Sequence, residues 1–263
     1  MLASLQDEDK MQIKMNMKRF FLLSVLLVLA VACSRELTYK TCSLEDSVQL
    51  AGIDAGCEVS CTFDYVTGGV SDAVKEKING AIIANHILFE EADGRTDVPA
   101  ACKQWVEEQL GEFSVDEGYD EENAWMFHFE FTREGRFTTA CKSRHLQTYS
   151  ATYSDYTGGA HGMYGIINNV FDLTTGELVT EQDLFAAGYK EGVADLLKQS
   201  LSAYLAENEA EEDMVFGQPE PYDNFAVSEE GITWTYNPYE IAPYAMGAIE
   251  LTVSWSDLKP YLK

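Results

Sequence analysis

Basic residues are scarce in this chain: 18 Lys and Arg stand against 44 Asp and Glu in 263 residues, a formal net charge of -26. That balance disfavours nucleic acid, whose affinity for proteins comes largely from basic groups neutralising phosphates. It would also repel an anionic lipid surface, so the folded body is not what holds the chain to a membrane. A basic protein ligand would be steered toward it, although an acidic surface also serves plain solubility. Histidine is rarer still. His86, His128, His145 and His161 are scattered, and no Cys or His cluster has zinc spacing. P-loop, dinucleotide and G-x-S-x-G signatures are missing, so the residues nominate no catalytic group and no cofactor. The acidic stretches 116–122 and 207–213 lack the residue order of a calcium loop and read as solvated faces.

Long apolar runs are missing too. The longest, Phe20 to Ala32, is shorter than the roughly 20 residues a membrane-spanning helix needs. Lys18 and Arg19 precede it, which is the n-region and h-region order of a secretory signal. The run ends at Ala30-Val31-Ala32-Cys33, which resembles the lipobox of lipoprotein signal peptidase, although Leu would fit the Ala30 position better. The expectation is cleavage before Cys33 and lipid attachment to Cys33. The product would be a bacterial envelope lipoprotein, facing periplasm or cell exterior. Ordinary cleavage after an A-x-A site is the alternative. Met11, Met15 and Met17 are all possible starts, so residues 1–16 are left out of the fold reading.

Beyond Cys33 lie Cys42, Cys57, Cys61, Cys102 and Cys141, enough for at most two bridges with one thiol over. Cys57 and Cys61 fall in one strand, where four residues span about 13 Å, too far for a disulfide. Cys42, on the preceding extended stretch, is the better partner for one of them. The chain is long enough for a real core, so no bridge is obligatory.

The hydropathy pattern predicts an α+β fold of two small modules, 33–150 and 151–263, each a mainly antiparallel sheet packed by amphipathic helices. Extended stretches at 36–45 and 57–66 precede a helix capped by Ser71 and carrying Val74, Ile78, Ile82 and Phe89. Asp97 and Pro99 open a second, with Cys102, Trp105, Val106, Leu110 and Phe113 on one face. Trp125, Phe127, Phe129 and Phe131 alternate along a strand, with His128 on the opposite face. Glu134-Gly135 is the expected turn, and residues 136–149 the hairpin partner. Later come a glycine-rich loop at 156–162, a strand at 164–173 and a helix carrying Tyr189, Val193, Leu197, Leu201, Tyr204 and Leu205. A hairpin across Glu230-Gly231, a proline-interrupted loop at 237–247 and a strand holding Ile249, Leu251, Val253 and Trp255 complete the pattern.

Three segments of the second module look familiar in order and spacing: Tyr156-Thr157-Gly158-Gly159-Ala160-His161-Gly162, then Phe171 to Gly176 with Asp183-Leu184-Phe185, then Tyr236 to Gly247. They resemble the C-terminal domain of RsiV-type proteins, a domain of unknown function in most members. Residues 36–150 resemble the module that accompanies it there and in PdaC-type peptidoglycan deacetylases. The resemblance implies an α+β envelope module. In the RsiV branch such a domain binds lysozyme and controls a sigma factor. Signalling does not carry over, because this chain has a lipobox in place of a membrane span and no sigma-binding segment. Deacetylation does not carry over either, because the metal motifs of the PdaC catalytic domain are missing.

Glycines allow the first loop to present His161 to a ligand. Tyr156, Gly158, Gly159 and His161, with Tyr239, Glu240 and Tyr244 of the second loop, are therefore the candidate binding residues. The competing readings are that these side chains only lock two irregular loops together, or that His161 and Glu240 act as acid and base. The candidate ligands are a basic, lysozyme-like protein or a cell-wall glycan. An envelope carbohydrate hydrolase or deacetylase and a purely structural component are the alternatives.

Overall fold

The computed structural model describes residues 36–49, 55–91, 93–113, 127–210 and 212–263. The leader, Cys33, Trp125 and the acidic stretch 116–122 lie outside them. Residues 39–263 form one contact unit. It is α+β, with a six-stranded and a three-stranded sheet.

Strand β1 (Thr38–Gln49) lies at the edge of the larger sheet beside β2 (Gly56–Gly68). Side-chain hydrogen bonds from Thr41 to Asp64 and between Ser43 and Thr62 stitch the two together. Strand β2 alternates, burying Cys57, Val59, Cys61 and Phe63 and exposing Glu58. Ser71 caps helix α1 (Asp72–Ile82) by accepting from the Val74 amide, as its short oxygen-bearing side chain predicts. The helix buries Val74, Ile78 and Ile82, then loosens into a π turn, Ile83–Ile87, that buries His86. Phe89 is therefore not on the helix face expected of it. It sits at φ 53° and is half exposed, with the Arg133 guanidinium over its ring. Asp97 caps helix α2 (Val98–Glu112), which packs Cys102, Trp105 and Val106 against β2.

Strand β3 (His128–Cys141) pairs in parallel with β2 and antiparallel with β4 (Leu146–Tyr156). The Glu134-Gly135 turn expected from the sequence does not exist. The strand runs straight through it and turns at 142–145, with His145 left-handed at φ 58°. Gly135 has another purpose: a Cβ there would sit 2.5 Å from the Phe63 ring and 2.6 Å from the Tyr149 hydroxyl. A glycine inside a strand marks close approach as readily as a turn, and here two fully buried rings close over it.

Strand β5 (Met163–Asp172) continues the sheet antiparallel to β4, and β6 (Leu178–Val179) ends it. Position 150 falls inside β4, so strands from both halves share one sheet. The short helix α3 (Glu181–Leu184) leads to α4 (Tyr189–Glu207), whose buried Val193, Leu197, Leu201 and Leu205 face β9. The second sheet is β7 (Phe225–Val227), β8 (Gly231–Tyr236) and β9 (Ile249–Ser254), all antiparallel, and β7 packs against β4 and β5. Trp255 does not extend β9; it begins helix α5 (Trp255–Leu258), capped by Ser254. Buried Glu181 accepts from the Tyr189 hydroxyl at 2.8 Å and the Trp234 indole at 2.9 Å, and burial raises its carboxyl pKa despite both donors.

All five cysteines among the described residues are free thiols. Cys42 does not sit with Cys57; its sulfur faces Cys102 of α2.

Candidate functional site

The upper half of β5 has no strand on its outer side, since β6 pairs only with Val170 and Phe171. Bare strand backbone needs partners or a cover, and two asparagines supply them. Asn237 accepts from the Ile166 amide at 2.7 Å and donates to its carbonyl at 3.0 Å. Asn224 accepts from the Asn168 amide at 2.8 Å and also donates to the Ile166 carbonyl. These amides flank β7 and β8, so they tie the β8–β9 loop to β5.

From that anchor the loop makes a tight turn. The Tyr239 amide donates to the Ala242 carbonyl, and the Glu240 amide to the Asn237 carbonyl. Glu240 folds its carboxylate back, accepting from the Asn237 amide at 2.7 Å and the Tyr222 hydroxyl at 2.8 Å. Burial raises the pKa of the Tyr222 phenol, so it stays protonated and able to donate. Tyr239 is thereby held at φ 72° with half its surface exposed. A left-handed tyrosine costs on the order of 1 kcal/mol, and an exposed residue kept in that state points to a use for the side chain.

The β4–β5 loop meets it. Gly158 and Gly159 have φ of 88° and 93°, conformations open to glycine at no steric cost. The Tyr156 hydroxyl donates to the Gly159 carbonyl at 3.1 Å, closing the loop on itself. Exposed His161 hydrogen-bonds the Gly162 carbonyl through Nδ1 at 2.9 Å. A carbonyl only accepts, so Nδ1 carries a proton. The imidazole stacks on Tyr244 of the other loop, with centroids 4.5 Å apart and planes 23° from parallel. Tyr239 and Tyr164 each lie 5.8 Å from Tyr244, Tyr164 edge-on. The result is an aromatic platform of His161, Tyr164, Tyr239 and Tyr244.

The structure therefore brings His161, Tyr239 and Tyr244 together. Tyr156, Gly158 and Gly159 shape the first loop, and Glu240 braces the second. Among the described residues no hydrogen bond joins His161 to Glu240, whose carboxylate accepts from the Asn237 amide and the Tyr222 hydroxyl instead. The sequence reading missed Tyr164, Asn224 and Asn237. The asparagines carried no signal, because asparagine in a loop ordinarily reads as turn chemistry.

Residues 182–256 match the family described as protein of unknown function, DUF3298. This match takes in Tyr239 and Tyr244 and leaves His161 and Tyr164 outside. The chain is similar to a solved DUF3298 family member from Bacteroides fragilis, with 26% identity and a TM-score of 0.75 over 88% of this chain and 95% of the other. It also resembles a DUF3298 family protein from Pseudomonas aeruginosa, with 16% identity and a TM-score of 0.67 over 88% and 96%, a likeness of fold. No curated protein matches it.

Away from these loops, a shallow depression of about 590 Å³ lies across β1, β2 and β3 and is edged by the carboxylates of Glu45, Asp46, Glu58 and Glu130. Among the described residues no group of His, Cys, Asp or Glu is arranged to hold a metal ion, and no helix is long and apolar enough to cross a membrane.

Proposed function

We propose that this protein is a lipid-anchored binding module of the bacterial cell envelope, which captures a basic, lysozyme-like protein on the His161, Tyr239 and Tyr244 platform. The observation that carries this reading is the His161–Tyr244 stack with exposed, left-handed Tyr239 beside it on a braced loop. Tyrosine and its partners give a rigid apolar surface with polar tips, the composition of interface hot spots. A guanidinium or ammonium group laid over such a ring is attracted by its electron-rich face.

Charge supports the same ligand class. Neither loop, 156–164 nor 237–247, contains Lys or Arg, and the chain as a whole carries -26. An acidic protein draws a basic partner in and speeds its encounter, an effect that weakens as salt rises. The resemblance to the RsiV-type domain points to lysozyme, and the lipobox resemblance at Cys33 supplies the anchor.

Calorimetric titration of the protein with lysozyme at low and moderate salt tests the reading. Binding that weakens with salt, and that Tyr239→Ala and Tyr244→Ala each weaken at least tenfold, is the expected result. Heat only on titration with cell-wall glycan fragments, or no heat with lysozyme at either salt, would overturn it.

A further inference from the structure

Cys102 sits on the buried face of α2 and is fully excluded from solvent, as is Cys61 on β2. Its sulfur contacts two others, that of Cys61 and that of Cys42 on β1. The other two described thiols are elsewhere: Cys57 stands two strand repeats from Cys61 on the same face, and Cys141 lies beside Ser143 and Glu229. Three thiols on three elements therefore converge at one point between sheet and helix, and Cys42 alone of the three is partly exposed.

We propose that Cys42 and Cys102 are a disulfide-forming pair, and that their bridge fastens the edge strand β1 to helix α2. Access selects the pair. A disulfide oxidant from solvent reaches Cys42, and among the described residues the thiol in contact with that sulfur is Cys102. Strand β1 is exposed along nearly its whole length and is paired on one side only, so it is the element with most to gain from a covalent hold. Burial pushes the Cys42 thiol up to about 11. Contact with Cys61, and then burial, push Cys102 upward as well. Both thiols are therefore mostly neutral, so the exchange runs through a small thiolate fraction and is slow.

The oxidant is a disulfide, R–S–S–R, of the kind an oxidising compartment supplies. The Cys42 thiolate attacks one of its sulfurs, forming Cys42–S–S–R and releasing RS⁻. The Cys102 thiolate then attacks the Cys42 sulfur, closing the protein disulfide and releasing the second RS⁻. The two thiol protons end on two RSH, and the two electrons lost by the protein reduce the oxidant.

The test needs no ligand and is independent of the binding reading. Folded full-length protein is incubated with glutathione disulfide, quenched in acid, alkylated in denaturant and mapped by mass spectrometry without reduction. The expected product is one cross-linked peptide pair joining Cys42 to Cys102, with Cys57, Cys61, Cys141 and any unacylated Cys33 alkylated. A Cys57→Ser variant should give the same link, and in Cys42→Ser protein Cys102 should be recovered alkylated. A Cys61–Cys102 link in the wild type, or full alkylation of Cys42 and Cys102 after prolonged oxidation, would overturn the proposal.

Discussion

The imidazole of His161 lies flat against the phenol of Tyr244, 4.5 Å between centroids, although the two come from loops that flank different sheets. Each ring is a wall for the other, and the pair joins the glycine-rich loop to the proline-interrupted one. A double-mutant cycle on His161→Ala and Tyr244→Ala should show a coupling of about 0.5–1.5 kcal/mol in urea unfolding, the usual worth of an aromatic pair beyond its buried area. Strictly additive losses would mean the stack holds nothing together.

The same loop depends on Asn237. Replacing Asn237 by Ala strips the Ile166 amide of its side-chain acceptor and removes one of the two donors to its carbonyl, Asn224 remaining as the other. Each buried polar group left unpaired costs about 1–3 kcal/mol. Asn237→Ala should therefore lower stability by about 1–3 kcal/mol, the cost of the one amide left unpaired, and amide exchange at Ile166 should accelerate. Unchanged protection at Ile166 would show that water replaces the side chain without cost.

Gly135→Ala is expected to destabilise by about 1–3 kcal/mol or more, the range for overpacking a filled core. The new methyl would have to displace the Phe63 ring or the Tyr149 hydroxyl, both fully buried. The Tyr149 hydroxyl also donates to the Asp64 carbonyl at 2.8 Å, so moving it breaks a buried hydrogen bond. A midpoint in urea equal to that of the wild type would contradict the packing described.

Gly135 also shows where the sequence was opaque. Glu-Gly between alternating segments is the usual mark of a hairpin, and at Glu230-Gly231 that reading holds. At Glu134-Gly135 the identical dipeptide lies in mid-strand, because the reason for the glycine is a ring arriving from another strand. Helix caps at Ser71 and Asp97 were legible because a cap is satisfied within three residues. Phe89 and Trp255 kept the local period and yet left their elements, the first through a π turn and the second through the Ser254 cap. The meeting of His161 with Tyr244 was anticipated from the loops' composition, whereas the asparagine anchors that produce it are tertiary and left no local trace.

If Cys33 is acylated as proposed and that lipid is the hold on the membrane, Cys33→Ser should move the protein from the membrane pellet to the soluble envelope fraction and abolish incorporation of labelled palmitate. The acidic body gives no reason for residual adhesion to anionic lipid. Membrane retention of the unacylated variant would require another attachment.

His86 gives a pH dependence with a definite sign. The ring is 2% exposed, and burial lowers its pKa from 6.5 to about 4, an effect that the neighbouring Asn169 side chain only partly offsets. Above pH 6.5 the imidazole is neutral in the folded and unfolded chain alike. Between 6.5 and about 4 the unfolded chain binds a proton that the folded one refuses. Stability therefore falls as pH drops through that window, by up to about 1.4 kcal/mol per pH unit. Glu181 acts in the opposite sense, because a raised carboxyl pKa favours the folded state as pH falls. The raw pH curve mixes the two, and the difference between wild type and His86→Leu isolates the histidine. Relative to the wild type, the variant should gain about 3 kcal/mol between pH 7 and pH 4, measured by urea unfolding at each pH. A difference that stays constant with pH would show that His86 is protonated as easily in the fold as outside it.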